Sequence, residues 1–178
     1  MAAVDLFTEQ GYDATTVAQI AERAGLTKST FFRHFPDKRE LLVAGQETLS
    51  RLLAEGIAEA PADATPLQAV AAGLASASTA MGQLSRDIAP RLQAAVAASA
   101  ELQERDALKT VSLAAAMHHA LTHRGIPDLQ AAVAAELGVL AFKRGYAQWA
   151  ESPTDGEGLA ALVLAVLSEL QTAGLSLS

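Results

Sequence analysis

The sequence predicts an all-α protein of about nine helices, in which a helix-turn-helix head precedes a larger helical bundle. Three observations carry that reading. Apolar residues recur at helical spacing along nearly the whole chain, and no run alternates at the period of a strand. Hydrophobic residues make up 51% of the 178 residues while aromatics make up 4%, an alanine-heavy composition that suits closely approaching helices. Capping and stop signals recur along the chain, each beside a periodic segment.

Residues 2–10 form a short amphipathic helix carrying Val4, Leu6 and Phe7, ended by Gly11. Thr16 then caps a second helix, with Gln19 three residues on to complete a capping box. Val17, Ile20, Ala21 and Ala24 give that helix one apolar face. Gly25 supplies the left-handed residue that ends it, and Leu26 is expected to tuck into the core beneath the turn. Thr27 caps a third, short helix. Phe31 and Phe35, at i and i+4, face inward, while Lys28, Ser29, Phe32 and Arg33 face outward. Pro36 stops it, and Asp37 caps the next helix, with Glu40 three residues on.

The remaining chain reads as one long helix over 37–59, with Leu41, Leu42, Leu49, Leu52 and Leu53 inside, and a linker from Pro61. Thr65-Pro66-Leu67-Gln68 is a compact start signal for a helix to about Met81. A helix over 85–98 comes next, with Pro90 near its start or kinking it. Ser99 opens a helix to Arg124, closed by Gly125; Pro127 opens another to about Trp149. Ser152 to Gly158 is a loop in which Thr154 and Glu157 form a candidate capping box, and a last helix runs from 158 to 173 and stops at Gly174. The domain division expected is 1–45 for the head and 46–178 for the bundle.

A short helix with a cationic, hydroxyl-rich first half fits the DNA major groove, where its leading residues reach base edges. The formal net charge of −7 would repel DNA, but residues 27–40 carry a local excess of two positive charges. Phosphate contacts are local, so this patch is compatible with specific binding and argues against a protein that coats DNA indiscriminately. The absence of cysteine excludes disulfides, thiolate nucleophiles and cysteine metal sites. No secretory signal and no uninterrupted apolar span are evident, so a cytoplasmic protein is expected.

The run Lys28-Ser29-Thr30-Phe31-Phe32-Arg33-His34-Phe35-Pro36-Asp37-Lys38, with Leu41-Leu42 after it, resembles the DNA-reading head of the TetR family of bacterial repressors. Gly11-Tyr12 and Thr15-Thr16 fit the same pattern, and the resemblance covers residues 3–45. It implies DNA-contacting roles for Thr16, Thr27, Lys28, Ser29, Thr30, Phe32, Arg33, His34 and Lys38. In it, Thr16 meets a phosphate, Lys28 is the candidate for a guanine contact, and Lys38 clamps a phosphate. The family often has tyrosine where Phe32 stands; phenylalanine cannot bond a phosphate and would pack instead on sugar or a thymine methyl. The family's first helix is also longer and comes after a basic arm, so the first helix reads as truncated at Met1.

The resemblance further implies an effector-binding domain. Candidate pocket residues are Met81, Leu84, Ile88, Leu92, Met117 and His118, and no cofactor is expected beyond a small-molecule effector. His118, His119 and His123 lack the further ligand a zinc site needs, so no metal is expected either. The last two helices are apolar on two faces and must bury both. The candidate interface for a two-fold dimer through a four-helix bundle is Leu137, Phe142, Tyr146, Trp149, Leu159, Leu162, Val163, Val166 and Leu170. No nucleophile or carboxylate pair sits beside a base, so no catalytic residue and no enzyme are expected. The expected function is that of a homodimeric regulator, a repressor released from a palindromic operator by a small molecule. The alternative is a helical small-molecule- or protein-binding module with a weakened DNA head.

Overall fold

The computed structural model describes residues 2–38, 40–43, 45–152 and 156–176. Among these are ten helices: α1 (Ala2–Gln10), α2 (Val17–Arg23), α3 (Lys28–His34), α4 (Glu40–Val43), α5 (Gln46–Glu59), α6 (Pro66–Ser85), α7 (Ala89–Ala97), α8 (Ala100–His123), α9 (Asp128–Glu151) and α10 (Leu159–Ser176). No strand occurs among the described residues. The tenth helix arises because the helix expected over 37–59 is broken at Gly45, whose φ of 84° lies in the left-handed region. Pro90 lies in the first turn of α7, where a missing N–H costs nothing. Gly174 does not stop the last helix, which continues to Ser176. Thr154 of the expected capping box lies outside the described residues.

The chain divides into two compact units. The first comprises Met1–Gly45 and Asp87–Lys109. The expected division, with 46–178 as one domain, therefore changes: α7 and the first part of α8 cluster with the head. The reason is a shared core. Leu6, Phe7, Tyr12, Ile20, Ala21 and Phe31 are buried together with Ala95 of α7 and Leu102 of α8, and Leu92 and Val96 pack against them. Phe7 and Tyr12 meet edge to face at 5.1 Å. Three short helices alone expose too much of such a core, and each buried Leu or Phe contributes roughly 1.5–3 kcal/mol. Arg91 pairs with Asp5, and Arg105 with Glu40 at 3.3 Å, across the same packing.

The second unit comprises Gln46–Arg86 and Thr110–Ser178. Its core includes Leu53, Ile57, Val70, Leu74, Met117, Leu121, Leu159 and Val163. Glycines let its helices cross at backbone distance. A Cβ on Gly145 of α9 would stand 2.6 Å from Val163 Cα on α10, and one on Gly138 would stand 2.6 Å from Val70 Cγ1 on α6. Two arginines close helix ends whose last carbonyls lack helical partners. Arg124 Nη1 donates to the carbonyls of Ile57, Ala58 and Ala60 at the end of α5. Arg86 donates to the carbonyls of Trp149 and Ser152 at the end of α9, with its guanidinium 4.8 Å from the Trp149 ring centre. No described helix is long and apolar enough to cross a membrane.

Candidate nucleic-acid interface

The candidate reader is built from its caps. Thr16, at φ −103° and ψ 153°, accepts from Gln19 N–H, and the Gln19 side chain accepts from Thr16 N–H at 2.8 Å. The Thr16 hydroxyl also donates to Gln19 Oε1 at 2.9 Å, so its hydrogen bonding is taken up within the box. Ile20 and Ala21 face the core. Ala24 is exposed at the C-cap, not part of the apolar face expected for it. Gly25, at φ 69°, closes α2: Gly25 N–H bonds Glu22 O at 3.0 Å and Leu26 N–H bonds Ala21 O at 2.8 Å, the paired bonds of a Schellman ending. Leu26 itself is 45% exposed, so it does not tuck beneath the turn as its apolar character suggested. Its backbone bond, not its side chain, closes the corner.

Thr27 caps α3 by accepting from Thr30 N–H at 3.1 Å. Phe31 is 2% exposed and anchors α3 in the core, with Phe35 partly buried 5.5 Å away. Lys28, Ser29, Arg33 and His34 are exposed, Thr30 is half-buried, and Phe32 is 53% exposed with its ring edge-on to Phe31. The outward set read from the sequence is therefore brought together on one short, doubly anchored helix.

The cations of this unit divide sharply. Arg23 forms a two-pronged pair with Glu9, at 3.0 and 2.8 Å. The hydrogen bonds from Arg23 hold the Glu9 carboxyl below the usual carboxylate range and push the Arg23 guanidinium up. Lys38, expected to clamp a phosphate, is turned inward: its ammonium donates to the Tyr12 carbonyl at 2.7 Å and the Thr15 carbonyl at 3.1 Å. Burial lowers the Lys109 ammonium, and nearby Asp106 only partly offsets it. Lys28 and Arg33 are the cations of α3, and neither makes an ion pair among the described residues. No sequence signal identifies the inward lysine, because its acceptors are backbone carbonyls.

The residues expected to line an effector pocket are divided between the two units, Ile88 and Leu92 in the first and Met81, Leu84, Met117 and His118 in the second. Met117 is 1% exposed in the core of the second unit, and Leu92 packs on the core of the head. His118 points to the α8–α9 corner, where Nε2 lies 2.9 Å from Asp128 Oδ1. Met81 and Ile88 are half-buried, and the Leu84 side chain lies outside the described ones. No group of three His, Cys, Asp or Glu residues suited to a metal ion occurs among the described residues.

The expected dimer surface also changes. Phe142 and Trp149 of α9 and Leu159, Val163 and Val166 of α10 are buried within the protomer, where α6, α9 and α10 pack against one another. Leu137, Tyr146, Leu162 and Leu170 are half-buried. The other stripe of α9 is outward: Leu129 is 76% exposed, with Val133 and Leu140 beside it. Leu129, Val133 and Leu137 line an apolar groove of about 490 Å³ with Leu67 of α6 and Gln171 of α10.

Residues 1–44 match the family described as bacterial regulatory proteins, tetR family. The HTH-type transcriptional regulator TcmR of Streptomyces glaucescens is 40% identical over 68 residues, which span 38% of this chain and only 30% of that protein's length. Over nearly the whole chain the likeness is one of fold. A Mesorhizobium loti protein assigned to the TetR-family transcriptional regulators superposes with a TM-score of 0.59 at 17% identity, covering 96% of this chain and 90% of that one. FadR of Thermus thermophilus, a TetR-family repressor solved in complex with lauroyl-CoA, gives 0.50 at 20% identity, again covering 96% and 90%.

Proposed function

We propose that the chain, whose residues 1–44 match the family described as bacterial regulatory proteins, tetR family, is a sequence-specific DNA-binding transcriptional regulator acting as a homodimer in the cytoplasm. The observation that carries this reading is α3: a capped helix, anchored by Phe31, that presents Lys28, Ser29, Phe32 and Arg33 together on its exposed side. Lys28 at its first turn reads a base edge, Ser29 and Thr30 lie beside it, Arg33 and His34 meet the backbone, and Phe32 packs on sugar or a thymine methyl. Thr27 and Thr16 hold the two helix starts and approach phosphates from there. Two cations on a seven-residue helix give one head little grip, so binding requires two copies on a palindrome.

The second copy docks on α9 and α10. A contiguous exposed stripe of Leu129, Val133 and Leu140 is unusual for a monomer surface, and the groove beside it continues the same apolar face. A small-molecule effector, without cofactor or catalysis, binds the state unable to grip DNA and so releases the operator, which makes the protein a repressor. FadR, with its bound lauroyl-CoA, is the fold-level precedent for such a ligand.

Selection of duplexes from a random-sequence pool by the full chain tests the reading. The expected outcome is an enriched palindrome with half-sites about one helical turn or more apart. Retention of no duplex would replace it with a helical small-molecule- or protein-binding module whose head is weakened. Light scattering on Val133→Glu is expected to report a monomer; an unchanged dimer would move the interface elsewhere.

A further inference from the structure

Lys38 is the first lysine beyond α3, and its ammonium reaches back across more than twenty residues to the loop between α1 and α2. It bonds the Tyr12 and Thr15 carbonyls and lies 4.0 Å from the Tyr12 ring centre. An ammonium has three protons, so two carbonyl bonds leave at most one for anything else. The Tyr12 ring adds a cation–π contact, strengthened because Tyr12 is buried. Both carbonyls belong to a non-helical stretch: the Tyr12 carbonyl accepts from Thr15 N–H at 3.1 Å as well as from Lys38, and Lys38 also donates to the Thr15 carbonyl.

The surroundings make this loop a fixed part. The Thr15 side chain is buried, its hydroxyl donates to Gly11 O at 2.7 Å, and Gln10 Nε2 donates to Thr15 Oγ1 at 3.2 Å. Thr16, the next residue, is the N-cap of α2. Lys38 thus ties the chain leaving α3 to the chain starting α2, and closes the reader on the side opposite the Gly25 corner. We propose that Lys38 is a positioning residue that holds α2 and α3 in their reading geometry through the Tyr12–Thr15 loop, and that it is not a phosphate ligand.

The binding arm of the test rests on the DNA-binding reading; the labelling arm does not. In the first, Lys38→Met in the full chain is titrated with a random-sequence duplex at several salt concentrations, beside thermal unfolding. A brace predicts weaker binding at every salt, an unchanged slope of log K against log salt, a lower unfolding midpoint, and faster amide exchange at Thr15 to Gln19. Lys38→Arg, which keeps the charge but fits neither the carbonyl pair nor the ring in the same way, is expected to fail to restore the exchange protection. A slope reduced by about 0.9 per head, with unchanged midpoint and exchange, would overturn the proposal, since that is the signature of one lost phosphate contact.

The second arm needs no variant. Amine acetylation of the unmodified protein, free and then with duplex, is monitored by mass spectrometry at Lys28 and Lys38. The brace predicts that Lys38 is already several-fold slower than Lys28 in the free protein, and that duplex slows Lys28 alone. Equal reactivity of the two lysines in the free protein overturns it, whether or not any duplex binds. If the unmodified chain binds no duplex, the DNA reading fails, and slow Lys38 acetylation in the free protein still supports the brace.

Discussion

Gly56 of α5 and Gly73 of α6 face each other so closely that a Cβ on Gly56 would stand 2.8 Å from Gly73 Cα, and one on Gly73 would stand 2.6 Å from Leu53 O. Both obstacles are backbone, so neither can swing aside. Gly56→Ala is therefore expected to push the helices apart and to destabilise the chain by about 1–3 kcal/mol, despite alanine's better helix propensity. Urea unfolding measures this; a gain in stability would mean that the crossing is looser than the glycine contact implies.

Arg124 serves several carbonyls at the end of α5 with one planar fork, and its guanidinium complements the negative end of that helix dipole. Arg124→Met leaves those carbonyls to water and is expected to cost about 1.5–3 kcal/mol. Arg124→Lys should recover little of it, because a point-like ammonium cannot reach the same set of acceptors at once. Full recovery by lysine would show that charge alone matters there.

Lys109 makes stability depend on pH. Its folded-state pKa lies below the unfolded value, chiefly through burial, so between the two the unfolded chain binds more protons. Stability then rises with pH across that window and loses Lys109's unfavourable contribution once pH passes the unfolded value. Lys109→Met is expected to be more stable than the parent at neutral pH, with a shallower rise towards alkaline pH. Thermal midpoints over a pH series check this; parallel profiles for the two proteins would contradict it.

Lys28 stands on the first turn of α3, exposed and without an ion pair among the described residues. Lys28→Ala is expected to weaken binding to a selected duplex by about 1–3 kcal/mol and to narrow the gap between that duplex and a scrambled one. Fluorescence anisotropy on both duplexes measures the gap. Equal losses on the two would remove Lys28 from base reading and leave it a phosphate contact.

Much of the fold was legible because its signals are local. Thr16 with Gln19, Thr27 with Thr30, and Thr65 with Gln68 each cap within three residues, and Gly11, Gly25 and Gly125 adopt the positive φ that ends a helix. What stayed hidden depends on partners distant in sequence. Periodicity shows that α9 has two apolar stripes but not that the one with Phe142 and Trp149 turns inward while Leu129 and Val133 stay out. Nothing near Lys38 announces that its acceptors are main-chain oxygens of Tyr12 and Thr15. Leu26 misled because an apolar residue after a Gly turn usually packs, whereas here the turn is closed by its N–H.

The head's core is finished by residues that the ribosome makes late. Phe31 and Ile20 share their packing with Ala95 and Leu102, while α5 and α6 are synthesised in between. The head is therefore expected to complete its fold only once α7 and the start of α8 have left the exit tunnel. A nascent chain stalled after Ala64 is expected to be cut by protease within α1 to α3, and one stalled well beyond α8 to resist. Birth order thus places the head, although α1 to α3 precede α5 and α6 in sequence, among the later parts to finish folding.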